Sequence, residues 1–242
     1  GTYSGAASVF EWNGAIYIEK DSLIAPDDLT VSNDFGESLD IDGDWLVVGN
    51  PDGIIGKSSG SIHIFARQSD ATWIESQVIT APSDAIGANS FGYDVSMEDD
   101  ILVVGTGTGD YAFTYALNGL TWEYEQTLEP IDSGESILFG RAVDTDGERI
   151  VVGSKYQDVN ATNDGAAWVF ESRNGAWLLT HLLTIDGGNS SDLLGASVAI
   201  DGTTVIAGAY NDDDVALNSG AVLVYEDVIA DCNGNGIADA TD

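Results

Sequence analysis

Short stretches in which apolar and polar residues alternate recur along the chain, and each is followed by an apolar run that ends in glycine. Residues 35–50 read FGESLDIDGDWLVVGN, and close variants begin at Phe91, Phe139 and Leu194. The alternation in LDID predicts a half-buried strand, whereas the run WLVVG predicts a short strand buried on both faces. The acidic turn between them predicts that the two strands pair as a hairpin.

A second pattern follows each of these strand pairs and also precedes the first pair. It reads GSIHIF or GAAWVF, and another aromatic residue follows seven or eight positions later. Asn-Gly signals in WNGA, LNGL and RNGA indicate hairpin turns between these segments. Each repeat therefore predicts four antiparallel strands, without helical periodicity. The aromatic residues that end the third strands lie 50 or 55 residues apart: Phe10, Phe65, Tyr115, Phe170 and Tyr225.

A repeat of this length with four antiparallel strands is typical of a β-propeller, so we expect an all-β fold. Four first-strand segments predict four blades, and five third-strand segments leave five blades as the alternative. Residues 1–227 would form the propeller, with residues 1–26 as extra outer strands, and residues 228–242 an acidic tail. Because the last repeat stops after its third strand, residues 15–25 could complete it, within the chain or in a neighbouring molecule.

The order of Phe-Gly, apolar strand, acidic turn, Val-Val-Gly and Gly-Ala-x-x-Val-Phe resembles the FG-GAP repeats of integrin α-subunit propellers and secreted bacterial proteins. The resemblance covers residues 5–227 and implies an extracellular propeller. It also implies calcium in the turns between strands one and two, although these turns are shorter here than in the family pattern. The candidate ligands there are Asp40, Asp42, Asp44, Asp144 and Asp146, for which a plain Asp-Gly turn is an equal explanation.

The segment DCNGNGIADATD at residues 231–242 matches a calcium-binding loop. Calcium prefers oxygen ligands at alternating loop positions, with glycine at position six for the sharp turn. The segment is similar to dockerin and thrombospondin-type loops, except that Asp replaces the final Glu, and a flexible acidic tail is the alternative. We therefore expect calcium as the cofactor. The predicted ligands are Asp231, Asn233, Asn235, the carbonyl of Ile237, Asp239 and Asp242.

Two further features lie in predicted loops. The run YNDDDVALNSG places Asn211, Asp212, Asp213 and Asp214 together, which predicts a weaker cation site or, alternatively, a solvated loop. The sequons at Asn160 and Asn189 fall in loops that a meandering blade brings to the same face, which makes them candidates for glycosylation.

The charge balance narrows the possible partners. The chain has 41 acidic and 7 basic residues, giving a formal net charge of −34. Such a charge excludes nucleic acid and disfavours anionic membranes, whereas it favours cations or solubility in an extracellular medium. The single cysteine, Cys232, excludes an internal disulfide, and no apolar run is long enough to cross a bilayer.

Catalytic signals are weak. His63 and His181 fall within predicted strands, where a structural role is expected, and acidic pairs are too abundant to define a glycosidase site. We therefore predict no enzyme but an extracellular or cell-surface structural or adhesive protein, stabilised by calcium. It would assemble head to tail with copies of itself or bind extracellular matrix or glycan. A carbohydrate-binding propeller and a secreted glycoside hydrolase are the alternatives.

Overall fold

The computed structural model describes residues 5–24, 34–52, 60–83, 85, 87, 89–131, 137–214, 216 and 219–226. Every regular element in these ranges is a β-strand, and none of them forms a helix that could cross a lipid bilayer. The predicted all-β fold is confirmed. The strands are β1 (Ala7–Trp12), β2 (Tyr17–Leu23), β3 (Leu39–Asp42), β4 (Trp45–Asn50), β5 (Ser61–Arg67), β6 (Trp73–Ile79), β7 (Phe91–Glu98), β8 (Ile101–Thr106), β9 (Ala112–Asn118), β10 (Thr121–Leu128), β11 (Val143–Thr145), β12 (Arg149–Ser154), β13 (Ala166–Arg173), β14 (Ala176–Leu183), β15 (Leu194–Asp201), β16 (Thr204–Ala209) and β17 (Ala221–Tyr225).

The strands form antiparallel sheets in which consecutive strands are neighbours, as in the blades of a propeller. Blade one comprises β3–β6, blade two β7–β10 and blade three β11–β14, each with four strands. Blade four contains only β15–β17 in the described residues, and β1 and β2 form a separate two-stranded sheet, called here the half-blade. Strands are numbered one to four within each blade, so that β1 and β2 correspond to strands three and four.

Neighbouring blades pack face to face through apolar side chains. The trailing face of blade one presents Val47 of strand two and Ile62 and Ile64 of strand three. They contact the leading face of blade two, which includes Phe91 and Trp122. The same arrangement recurs between blades two and three and between blades three and four. Since burying one large apolar side chain contributes about 1.5–3 kcal/mol, these interfaces hold the blades together.

Glycine in strand two allows the next blade to approach its backbone. A Cβ on Gly49 would lie 2.1 Å from the carbonyl oxygen of Gly92, and one on Gly153 would lie 2.0 Å from that of Gly195. No side chain fits in this space, so the Phe-Gly or Leu-Gly segments that open blades two, three and four lie directly on strand two of the preceding blade.

Glutamine side chains bind the outer strands of neighbouring blades together. Gln77 donates to the carbonyl of Trp122 at 2.9 Å, and its own oxygen accepts from the Trp122 N–H at 3.0 Å. Gln126 makes the same pair of hydrogen bonds with Trp177 in blade three, at 2.8 and 2.9 Å. The fourth strands are therefore held by side chains, since no backbone ladder joins the fourth strands of neighbouring blades in the part of the chain that the structure describes.

The half-blade packs against blade one as a preceding blade would. Ala7, Val9 and Leu23 join Phe35 and Phe65 in one buried cluster. Because β2 pairs with β1, and β17 pairs with β16 alone among the described strands, the described part of this segment, residues 15–24, does not complete blade four within the chain. The structure therefore does not show the closure within one chain that the sequence left open. The described residues form four blades, and the alternative of five is not observed.

Candidate functional site

The trailing face of blade four is open. Ile206, Val222 and Val224 are 40%, 68% and 58% exposed, respectively. Strand pairing identifies the equivalent residues in the other blades, because Gly208 pairs with Val222 as Gly49 pairs with Ile62. In those blades the equivalent residues are fully buried against the following blade. These equivalents, all 0% exposed, are Val47, Ile62 and Ile64 in blade one, Val103, Ala112 and Thr114 in blade two, and Val151, Ala167 and Val169 in blade three.

A shallow cavity of about 440 Å³ lies on this face. Its lining includes Ser197, Gly208, Tyr210 and Gly220. A Cβ on Gly208 would approach only Ser197 of its own blade, in contrast to the carbonyl of a following blade that faces Gly49. The cavity is thus the place that a Phe-Gly segment occupies on the other blades.

The leading face of the half-blade is open in the same way. Phe10 is 55% and Tyr17 69% exposed, whereas their equivalents Phe65 and Trp73 are buried. Trp12 extends this apolar surface and contacts the Tyr17 ring, with 5.2 Å between the ring centroids. The two ends of the array therefore present the two complementary halves of an inter-blade interface.

The carboxylates in the first strands bind neighbouring blades at the axis. Asp40 Oδ2 accepts the N–H of Met97 in blade two, and Asp144 Oδ2 accepts that of Ile200 in blade four, both at 2.7 Å. The sequence suggested a cation at these aspartates, but their side chains are already engaged by backbone donors.

The remaining turn aspartates behave in different ways. Asp42 Oδ2 accepts the Asp99 N–H at 2.8 Å, which links blades one and two. Asp146 Oδ1 accepts the N–H of Arg149 within its own turn at 2.6 Å, as expected for a plain Asp-Gly turn. Asp44 is exposed.

Asp94 is a functional candidate that sequence reasoning missed. Its Oδ2 accepts the Val143 N–H of blade three at 2.9 Å. The pKa of Asp94 is raised to about 6, mainly by burial and also by the charges of Asp144 and Asp40, against the backbone hydrogen bonds that lower it. The equivalent positions hold Ser38 and Ala142, so the repeat pattern gives no signal for this carboxylate.

The acidic loop Asn211–Asp214 is joined by groups from the preceding loop. Asn189 donates its side-chain N–H to Asp214 Oδ1 at 2.8 Å and its backbone N–H to Asp192 Oδ2 at 2.6 Å. Burial raises the pKa of the Asp192 carboxyl, and the charges of Asp212, Asp213 and Asp214 add to this shift. The sequence predicted the run but not Asp192, which lies on a different loop.

Calcium binding stays a prediction at the turn aspartates, at the loop Asn211–Asp214 and at the C-terminal loop. Within the ranges that the structure describes, no three His, Cys, Asp or Glu side chains are grouped so that they could hold a metal ion. The loop Asn211–Asp214 lies in those ranges. Its Asn side chain and backbone carbonyls are oxygen ligands outside that set of four residue types. The C-terminal loop lies outside the described residues: Asp231, Asn233, Asn235, Ile237, Asp239 and Asp242.

The two sequons lie on contacting loops. Asn160 and Asn189 are exposed, and Asn160 donates to the carbonyl of Ile185 at 3.2 Å. Ser191 N–H also donates to the carbonyl of Thr162 at 2.8 Å. The expected shared face is confirmed, whereas glycan attachment stays a prediction.

The histidines lie in strands, as predicted. His63 Nδ1 is 2.7 Å from Glu75 Oε1, and its Nε2 is 3.4 Å from Ser61 Oγ. This order resembles a hydrolase triad, but Ser61 is only 1% exposed, which keeps substrate from the hydroxyl. His181 contacts Thr180 at 3.1 Å and occupies the position of Gln77 and Gln126. The geometry favours structural roles for both.

Comparison with known proteins identifies the repeat. The FG-GAP repeat model matches residues 18–65, 73–114, 122–170 and 177–225. Each match runs from the fourth strand of one sheet to the third strand of the next, so the repeat spans an inter-blade interface. No curated protein matches the chain.

A solved structure shows the same architecture. The crystal structure of a candidate 6-phosphogluconolactonase from Bacteroides uniformis aligns with a TM-score of 0.57 and 12% identity, covering 90% of this chain. The aligned part is 63% of the Bacteroides uniformis chain, so this protein spans less than two thirds of that length. At this identity the likeness concerns the fold alone. Because the four matches cover more than half of its residues, the chain belongs to the FG-GAP repeat family and is a β-propeller of antiparallel blades.

Proposed function

We propose that this chain is a non-catalytic structural or adhesive module of the cell exterior, which assembles head to tail with copies of itself through its two open blade faces. The observation that carries the proposal is the exposure of Ile206, Val222 and Val224, at positions that are fully buried in every other blade. Exposed apolar patches of this kind are typical of interaction sites.

The two open faces are different and complementary, which favours a head-to-tail contact. In the blade one–blade two interface, the trailing residues Ile62 and Ile64 pack with Tyr115 and Trp122 of the next leading face. On a second copy, the equivalents of the last two are Phe10 and Tyr17. A contact between unlike faces leaves one open face of each kind at the ends of the assembly, so it produces filaments or a surface matrix rather than dimers unless its rotation closes a ring.

Face-to-face packing is favoured over donation of a strand. The segment that could complete blade four already pairs along β1, from Ala7 with Leu23 to Trp12 with Tyr17. Releasing it would break this ladder and expose its backbone groups. The apolar faces can meet with both sheets intact.

The net charge and the family membership support an extracellular location and calcium as the cofactor. FG-GAP repeats are typical of extracellular proteins, and 41 acidic residues against 7 basic ones suit a medium rich in salt or calcium. In the proposal, calcium binds the loop from Asp231 to Asp242, and Asn160 and Asn189 carry glycans.

Sedimentation velocity across a concentration series, with calcium present, tests the assembly. The wild-type chain should form concentration-dependent polymers, and Val222→Asp should be monomeric because it places a charge in the contact. Leu120→Asp is the matched control, since Leu120 is 78% exposed at the β9–β10 turn, away from both faces. A wild-type chain that remains monomeric at high concentration would contradict the proposal.

A further inference from the structure

The contacts that hold Phe91 and Gly92 on blade one define how a Phe-Gly segment is recognised. The Ser38 hydroxyl donates to the carbonyl of Gly92 at 2.9 Å. Gly60 forms a parallel β-bridge with Phe91, and Gly49 leaves room for the Gly92 carbonyl. Recognition therefore combines an apolar side chain with backbone pairing, as when a peptide strand adds to a sheet edge.

Blade three binds Leu194 and Gly195 with the same backbone contacts. Gly165 forms a parallel β-bridge with Leu194, and the Leu194 N–H donates to the carbonyl of Asp164 at 2.9 Å. Gly153 provides the space for the Gly195 carbonyl. The site thus accepts either Phe or Leu, provided that glycine follows.

Blade four repeats each part of this arrangement without an occupant in the described residues. Gly208 corresponds to Gly49, and the exposed Ser197 corresponds to Ser38. Gly220 has φ +71°, close to the +74° of Gly60, so the backbone already has the conformation that pairs with the incoming strand. These groups line the cavity of about 440 Å³, within the range of ligand pockets.

We propose that this cavity, called here the Phe-Gly site, binds the Phe-Gly or Leu-Gly segment that opens the first strand of another FG-GAP blade. The ligand is an extended segment with Phe or Leu followed by Gly. The apolar side chain would lie on the trailing face near Val222, and the glycine carbonyl would accept from the Ser197 hydroxyl.

The segment comes from a blade other than those described. The four segments of this chain are already held by the blade or half-blade before them, since Phe35, Phe91, Phe139 and Leu194 are all buried. A second copy docking through Phe10 and Tyr17 covers the outer part of the face and brings no Phe-Gly segment of its own. The inference rests on the proposed function only in that both use the trailing face of blade four.

A peptide titration tests the Phe-Gly site separately from self-assembly. The protein is the full chain with Tyr17→Asp, which blocks the leading face and leaves the trailing face unchanged. The probe is a peptide of residues 137–145, ILFGRAVDT, and its control carries Gly140→Val and keeps the same charge. Binding is followed by calorimetry and by the NMR shifts of the Gly208 and Gly220 amides.

The wild-type peptide should bind saturably and shift both amides, and the valine peptide should bind roughly tenfold more weakly or worse. Gly208→Ala should abolish binding, because its Cβ displaces the Ser197 hydroxyl, 2.5 Å away, and fills the space for the carbonyl. Ser197→Ala, at an exposed position, is the second variant and should weaken binding with no effect on folding.

Equal binding of both peptides, or no binding, would overturn the inference. Polymers of the wild-type chain without peptide binding would leave the proposed function standing and reject the Phe-Gly site. Peptide binding by a chain that never polymerises would reject self-assembly and support the site.

Discussion

Replacing Asp94 with asparagine tests how the first strands are held together at the axis. Asp94 accepts a backbone N–H from blade three, and burial raises its pKa from 3.8 to about 6, with Asp144 and Asp40 adding to the shift. Each pKa unit corresponds to about 1.4 kcal/mol, so keeping the folded carboxylate ionised costs about 3 kcal/mol well above pH 6. Asparagine keeps an oxygen acceptor for Val143 and removes the charge.

The direction in which stability changes with pH follows from the raised pKa of Asp94. The contribution of Asp94 to stability is fully present below its unfolded value of 3.8 and is lost as the pH rises through about 6. On going from pH 8 to pH 5, the wild-type chain should therefore regain about 1.4 kcal/mol relative to Asp94→Asn. The range stops at pH 5 because protonation of the 41 acidic side chains removes the net charge that favours solubility.

Urea denaturation followed by tryptophan fluorescence at several pH values measures this difference, provided that unfolding is two-state. Asp201→Asn, at an exposed aspartate that ends β15, is the matched control for loss of one charge. If the unfolding free energies of the wild-type chain and Asp94→Asn change in parallel between pH 8 and pH 5, Asp94 is not held in the way described.

Three more outcomes follow from the contacts between blades and from the C-terminal loop. Gly153→Ala should lower the free energy of unfolding by about 1–3 kcal/mol or more, because its Cβ would lie 2.0 Å from a backbone carbonyl. Gly208→Ala is the control, since its Cβ meets only a rotatable hydroxyl and should change the free energy of unfolding little. Gln126→Ala should lower the free energy of unfolding by about 1–3 kcal/mol, because it leaves both backbone groups of Trp177 without their partner. Gln68→Ala, at an exposed position, is the control, and equal stability of the two variants would contradict the bridging role of Gln126. In calorimetric titration, the double substitution Asp231→Ala and Asn233→Ala should remove one bound calcium, and unchanged stoichiometry would reject the loop.

The strands could be predicted from the sequence because their signals are local. Two-residue alternation, Asn-Gly turns and the aromatic residue near the start of each fourth strand all act over a few residues, and β6 does begin at Trp73. The pairing of β1 with β2 has the same origin. Asn13 Oδ1 accepts the N–H groups of Ala15 and Ile16 at 2.9 Å, which fixes a short hairpin. Closing the last blade with this segment would need a loop of nearly the whole chain, at greater entropic cost.

The candidate sites could be predicted only in part, because they depend on contacts between distant residues. Asp192 and Asp214 meet through Asn189 across two loops, and nothing in either loop alone indicates the other. The exposure of Val222 likewise depends on whether another blade lies beside blade four. It cannot be read from the local sequence, since GAVLVY in blade four matches GAAWVF in blade three, which is buried. Sequence patterns show which face is apolar, whereas the structure shows whether another blade covers it.

Mixing two single variants tests head-to-tail assembly most directly. Val222→Asp blocks the trailing face and Tyr17→Asp blocks the leading face, so each variant alone should be monomeric in sedimentation velocity. An equimolar mixture retains one open face of each kind and should form heterodimers that grow no further. A mixture that stays monomeric, or a single variant that still polymerises, would contradict assembly through the two blade faces.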